Sequence, residues 1–376
     1  MRSRSAWWGL AILAGAILIA IRIFPPSADS TPSLPEEKAP KRSQTSSADS
    51  TVPGLLVSKA AGKMIEADWN DLLDWIDREP KPTDADIRQR LLALREAWAE
   101  MDPIVLAETI GRLLDSGRDT PTGMKFKVGL HGFLDGWPTL RVFLLDALAA
   151  AEPDTAAAVA RRLLDQTGSP EEFAVALRSL TREGFARADD GELQQHFRVL
   201  LDKREWQSSA GFAESLDLAR TVGTGGIASD LLRWNGDAEL KSMALHEFAA
   251  DHPKEMSDSL LADTQTSPSL RATLMARLDP QFPDQAAAVD QYLRDPARTN
   301  EEATVFLKAF PLRSATTGAR LYGLTPAPYQ RDQITAGDRA ALDLVKGWLA
   351  DPALETLRPE LTTLQKRLDQ WVEVEK

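Results

Sequence analysis

From Leu55 onward, apolar residues recur at spacings of three and four, and this period constrains the fold more than any other feature. Ile87, Leu91, Leu94 and Trp98 form one set, and Val105, Ile110, Leu113 and Leu114 form another. A helix turns once every 3.6 residues, so side chains at these spacings share one face and need a neighbour to cover them. The period-two alternation of a half-buried strand is hardly found, so no sheet is expected. Helix starts are well marked. Ser169-Pro170-Glu171-Glu172 supplies a capping hydroxyl, a proline for the first turn and acids for the helix N-terminus. Thr83-Asp84-Ala85-Asp86, Thr299-Asn300-Glu301-Glu302 and Ser267-Pro268 offer similar starts. The pattern predicts about seventeen helices of roughly 10–16 residues joined by short links, an all-α chain of antiparallel hairpins packed in series.

A recurring signature supports that order. A bulky residue is followed after two or three positions by an acid or histidine and then proline. The instances run Trp98 to Pro103, Leu148 to Pro153, Phe248 to Pro253, Tyr292 to Pro296 and Trp348 to Pro352. The bulky residue anchors one helix end, the acid caps the next helix, and proline stops the first while fitting the opening turn of the second. Separations between signatures are irregular, so the array is degenerate. Over residues 66–310 the pattern resembles HEAT-like α-solenoid repeat proteins. That resemblance implies a scaffold that binds other proteins along an extended face; it assigns no residues.

The N-terminus reads differently. Trp7 to Phe24 is an apolar run whose only charge is Arg22. As a helix it spans about 27 Å, close to the hydrocarbon core of a bilayer. Trp7 and Trp8 suit the interface, and Arg22 can snorkel at the far end. Arg2 and Arg4 precede the run and place the N-terminus in the cytoplasm by the positive-inside rule. Residues 1–24 are thus expected to be a signal-anchor in the plasma (inner) membrane, with residues 7–24 in the bilayer and the body periplasmic or extracellular. The alternative is a signal peptide cleaved near Ala28-Asp29-Ser30, which releases a secreted protein. Residues 25–54 are rich in Pro, Ser, Thr and charge, show no periodicity, and read as a disordered tether about 30 Å across. Residues 55–310 form the expected helical-repeat domain. Residues 311–376 form a last part: a loop segment to about 337 with Tyr322 and Tyr329, then two helices packing on the repeats.

Charge and composition remove whole classes of function. Of 44 Lys/Arg and 56 Asp/Glu, residues 1–54 hold six and four, which leaves the remainder at a net charge of −14. So acidic a body repels phosphate backbones, and no nucleic-acid partner is expected. The chain has no cysteine. It therefore has no disulfide, thiolate nucleophile or Cys-type zinc site.

Each constellation that hints at chemistry has a plainer reading. His246 and His252 are six residues apart, roughly 240° around a helix, whereas a zinc-binding HExxH motif needs four. Gly223-Thr224-Gly225-Gly226 lacks the Lys-Ser/Thr of a phosphate loop and reads as a helix link with a glycine C-cap. Asp68, Asp71, Asp74 and Asp77 could pair as the acids of a glycosidase but read as a solvated helix face around Trp69 and Trp75. No catalytic, cofactor or metal residue is assigned. The glycine-rich segment from Gly117 to Pro138 is the expected place for any ligand or partner, through Lys125, Lys127, His131 and Trp137. Leu354, Leu357, Leu361, Leu364, Leu368 and Trp371 make a short seam that offers self-association, against plain packing on the last repeat. The expected function is a membrane-tethered, exported, non-catalytic scaffold that binds a protein or envelope component. The alternatives are a helical enzyme acting on an envelope polymer and a self-associating envelope protein.

Overall fold

A computed structural model describes residues 53–129, 132–181, 188–313 and 331–374. The expected anchor, nearly all of the tether and His131 lie outside the described residues. Among the described residues no helix is long and apolar enough to cross a membrane.

The described chain is all-α apart from one small ribbon. It begins with α1 (Pro53–Ile76), α2 (Asp84–Ala99) and α3 (Pro103–Asp115). The ribbon follows, β1 (Lys127–Val128) paired antiparallel with β2 (Leu134–Gly136). Next come α4 (Leu140–Ala151), α5 (Pro153–Leu164), α6 (Pro170–Thr181), α7 (Asp190–Asp202), α8 (Ala210–Ser215) and α9 (Leu218–Val222). The run continues with α10 (Gly225–Arg233), α11 (Ala238–Asp251), α12 (Pro253–Ala262), α13 (Pro268–Met275), α14 (Pro283–Arg294) and α15 (Asn300–Ala309). It closes with α16 (Arg331–Leu349), a 3-10 turn at Pro352–Leu357, and α17 (Arg358–Val374).

Most sequence punctuation acts as its chemistry requires. Thr83 forms a full capping box with Asp86, whose carboxyl is held below the usual carboxylate range by the Thr83 hydroxyl and amide. Asp102 accepts from the amides of Ile104 and Val105, and Glu152 accepts from that of Thr155. Ser169 and Thr299 each cap the amide three residues on. Three expectations fail. Ser267 makes no side-chain cap. The Asp295 carboxylate turns back onto the Ala297 amide, and no helix starts at Pro296. Residues 331–337, expected as loop, open α16. Gly337 lies within α16, close to the ends of the Arg313 and Asp279 side chains. The β-ribbon is a further correction. With two and three residues its strands are too short for alternation to show. Helix α1 takes in Pro53 and Gly54, the last two residues assigned from sequence to the tether.

The helices form two layers. In the first, α1 packs on α3 and α3 on α5; further on, α7 packs on α10, α10 on α12 and α12 on α14. In the second, α2 packs on α4, α4 on α6, α6 on α8 and α9, then α9 on α11, α11 on α13, α13 on α15 and α15 on α17. Links between layers include α3 to α4, α5 to α6, α10 to α11 and α16 to α17. Helices α4 and α6 are buried nearly all round; they are mostly apolar, and the charges they bury, Asp146 on α4 and Glu172 and Arg178 on α6, are ion-paired. Helix α5 keeps the ordinary pattern, burying Ala156, Val159, Ala160 and Leu164 while Arg161 and Arg162 face water. Five leucines of the C-terminal seam, from Leu354 to Leu368, are buried within this chain, and Trp371 is exposed.

Ion pairs join each unit to the next at a nearly constant offset. Arg141 binds Glu172, Arg161 binds Glu192, Arg220 binds Asp251 and Arg271 binds Glu302, each across 31 residues. Arg178 to Asp146 and Arg198 to Asp230 span 32. Earlier in the chain the offset is larger: Glu66 to Arg112 spans 46 and Asp115 to Arg162 spans 47. The first step is widened by the long helices α1 and α2, the second by the ribbon segment. At the far end Arg294 to Asp351 spans 57. The structural unit is therefore about thirty residues, with additions at both ends of the array.

Asp146 and Arg178 are the most deeply buried pair, at 1% and 0% side-chain exposure and 2.6 Å apart. Removing one partner of such a pair strands the other charge at a cost of about 3–5 kcal/mol. Asp146→Ala is expected to lose about that much in a denaturant titration. Asp146→Ala with Arg178→Met should cost less than the sum of the two single changes by at least about 1 kcal/mol. Additive losses would show that the charges do not sense one another.

Candidate binding surfaces

The glycine-rich segment folds as a flap over α4 and α6. Thr122 donates its hydroxyl to the Trp137 carbonyl, and Pro121 bridges Thr139 at the base of the flap. Gly136 is required where it stands, since a β-carbon would strike the Lys125 carbonyl oxygen. Trp137 points inward. It is fully buried, meets Phe143 edge-on at 5.3 Å, and donates its indole N–H to Asp146 at 3.0 Å. The Asp146 carboxylate also accepts from the Leu134 amide, while Arg178 donates to both Asp146 and the Gly132 carbonyl. The flap is thus fastened by a charge pair in the core. Of the four residues singled out from sequence, Trp137 is a packing residue, Lys125 and Lys127 are exposed, and His131 is outside the described residues. The Lys127 ammonium lies 4.0 Å from Asp135. The structure brings Lys125 and Lys127 onto one exposed strand region and separates both from Trp137.

A more sharply defined feature lies between α7 and α10, in the first layer. A groove of about 410 Å³ is lined by Arg198, Arg204 and Arg233 together with Asp202, Asp230 and Trp234. Helix ends position these groups. The Trp234 indole donates to the Leu201 carbonyl at 3.1 Å and fixes the end of α10 against the end of α7. Asp230 is only 12% exposed and gathers donors: Arg198 at 2.8 Å, Gln194 at 3.1 Å and Arg233 at 3.4 Å. Its two arginines stay open to water, at 58% and 70%. Arg204 makes no ion pair among the described residues. Three guanidiniums thus surround two carboxylates, a local positive excess on a body whose net charge is strongly negative. Planar forks of this kind match carboxylate geometry. These residues escaped sequence reasoning because nothing in their spacing marks them; Arg198 and Arg233 meet only once α7 and α10 are packed.

The other constellations resolve as structure. The Gly223 backbone takes the left-handed C-cap of α9 at φ 63°, and a β-carbon there would enter the His252 ring. His252 Nε2 sits 2.5 Å from the Arg220 carbonyl, while His246 Nδ1 accepts from Arg277 at 2.8 Å, so the two histidines serve different neighbours. Among the described residues no group of three His, Asp or Glu side chains could hold a metal ion. In the acidic stripe of α1, Asp71 is ion-paired with Arg90 and Arg78, Trp69 is buried, and Arg90 stacks on Trp75 at 4.7 Å. The buried acids Asp146, Glu172 and Glu302 are each clasped by arginine, and none lines the arginine groove. Burial alone raises the Glu302 carboxyl, but hydrogen bonds from Arg271 and Tyr292 bring it below its ordinary value. No family model, curated protein or solved structure matches the chain.

His246 gives the fold a pH dependence. Burial, and then the nearby Arg277 charge, lower its pKa from 6.5 to about 4. Between those values the unfolded chain binds a proton that the folded chain refuses, so stability falls as pH drops from 6.5 towards 4. The melting temperature should decline across that window, and His246→Gln should flatten part of the decline. An unchanged slope in the variant would exclude His246 as its source.

Proposed function

We propose that this chain is a membrane-tethered, exported helical-repeat scaffold that holds a partner protein through the exposed arginine groove of its first helix layer. The observation that carries this reading is the step of 31–32 residues at which one helix pair is ion-paired to the next. A series of such units builds an extended surface with a groove between successive helices, the arrangement HEAT-like α-solenoids use for partner binding. On this reading residues 7–24 anchor the chain in the lipid bilayer, residues 25–54 give it reach, and the body works outside the cytoplasm. The partner presents carboxylates, because the groove offers guanidiniums in excess. Self-association through the C-terminal seam has less to draw on, since Trp371 is its one exposed member.

Two experiments test the reading. A periplasm-only reporter fused after Lys376 should be active and should sediment with membranes; activity of a cytoplasm-only reporter would reverse the topology. Crosslinking of the native full-length chain should retain a partner that Arg204→Glu with Arg233→Gln releases, with at least about a tenfold loss. Retention unaffected by these substitutions and by salt would remove the groove from the proposal.

A further inference from the structure

A second recess lies away from the arginine groove, where α2 ends, α3 begins and α4 ends. It is a cavity of about 190 Å³ floored by the buried Trp98, Leu106 and Ala147 and rimmed by Met101, Ala150 and Arg95. Pro103, Ala99 and Ala151 complete its apolar wall.

Two hydrogen-bond donors here have no acceptor. The Trp98 indole nitrogen is buried without a partner. The Trp69 indole shares this state, whereas Trp137, Trp234 and Trp348 donate to Asp146, the Leu201 carbonyl and Asp290. Arg95 stacks on the Trp137 ring at 5.5 Å and makes no ion pair or hydrogen bond among the described residues. Arg95 and Trp98 stand three apart on α2 and so share a face. An apolar wall beside a half-buried guanidinium strengthens that guanidinium's pull on a carboxylate.

We infer that this cavity receives the C-terminal residue of a partner protein, its apolar side chain on the floor and its α-carboxylate on Arg95. The size of the recess decides for a chain end over an internal acid. Apolar group and carboxylate must both fit a space of one large side chain, which a terminal residue satisfies because both hang from one α-carbon. An internal Asp or Glu carries its carboxylate on a separate residue. Met101, on the rim, extends the apolar contact to the residues before the terminus. The inference deepens the partner-binding reading and is separable from the arginine groove.

The test is fluorescence anisotropy on the full chain in nanodiscs, with a fluorescein-labelled Gly-Gly-Ala-Ala-Leu peptide as free acid and as C-terminal amide. The acid should bind at least about tenfold more tightly, the worth of one charge-assisted hydrogen bond. Arg95→Gln should reduce the acid to the level of the amide. Ala150→Phe, at an exposed rim position, should remove binding of both, with circular dichroism confirming that each variant is folded. Arg204→Glu should leave peptide binding unchanged. Equal affinities for acid and amide, indifference to Arg95→Gln, or displacement of the peptide by octanoate at equal concentration would each overturn the inference. If the peptide fails while partner retention still depends on Arg204 and Arg233, the scaffold reading stands without it.

Discussion

Every helix pair in this protein leaves an apolar stripe uncovered until the next pair is laid against it, and the rest of the architecture follows from that need. Helix α5 shows the constraint: its Ala156, Val159, Ala160 and Leu164 face inward while Arg161 and Arg162 face water. Isolated helices of this length are marginal, so the energy of the fold lies in contacts between units. An array built that way grows in one direction and tolerates additions wherever they leave the stacking face intact. The ribbon segment between α3 and α4 is such an addition. It is tied back by Trp137 and Gly132 onto the Asp146–Arg178 pair, so the extra residues add to the core rather than interrupt it.

How far the sequence revealed this depended on the range of the interaction. Local chemistry was readable: Thr83, Asp102, Glu152 and Ser169 cap the helices they precede, because a cap needs only an amide two or three residues away. The repeat length was hidden. Prolines at 103, 153 and 253 open first-layer helices, and those at 170 and 268 open second-layer ones, so their separations mix two series. The step near thirty-one residues is carried by pairing of arginine with acid, and charged residues are too common for such an offset to stand out before the helices are packed. Gly337 misled for a different reason. Glycine signals a turn, but here it lies inside α16, where a single glycine is tolerated at a modest cost.

The candidate sites divide along the same line. Trp137 drew notice as an aromatic in a glycine-rich segment, but its ring lies against Phe143 and its N–H meets Asp146. The arginine groove had no local mark because its members lie on two helices about thirty residues apart. The recess on α2 was half visible: Trp98 belonged to the Trp98-to-Pro103 signature, yet what distinguishes the site is an apolar floor beside an arginine without an acid among the described residues. Unmet hydrogen-bonding capacity is a property of three-dimensional surroundings, and no periodicity encodes it.

The two layers carry charge in opposite ways, and this asymmetry bears on where a partner would dock. Second-layer pairs are withdrawn from water: Arg141–Glu172, Arg178–Asp146 and Arg271–Glu302 all have both members nearly covered. Breaking any of them strands a charge in the core, so they fix spacing and cannot be lent to a ligand. First-layer pairs are open: Glu66–Arg112, Asp115–Arg162, Arg161–Glu192 and Arg198–Asp230 each leave the guanidinium exposed. Where both members face water, as in Glu66–Arg112 and Asp115–Arg162, a pair contributes roughly 0–1 kcal/mol, so exchanging its carboxylate for a partner's costs the fold little. A surface able to trade partners at so small a cost, held in register by a spine that cannot, is suited to recognition. On the proposed scaffold reading, that division of labour favours the first layer for carboxylate exchange, where α7 and α10 present three arginines around two acids.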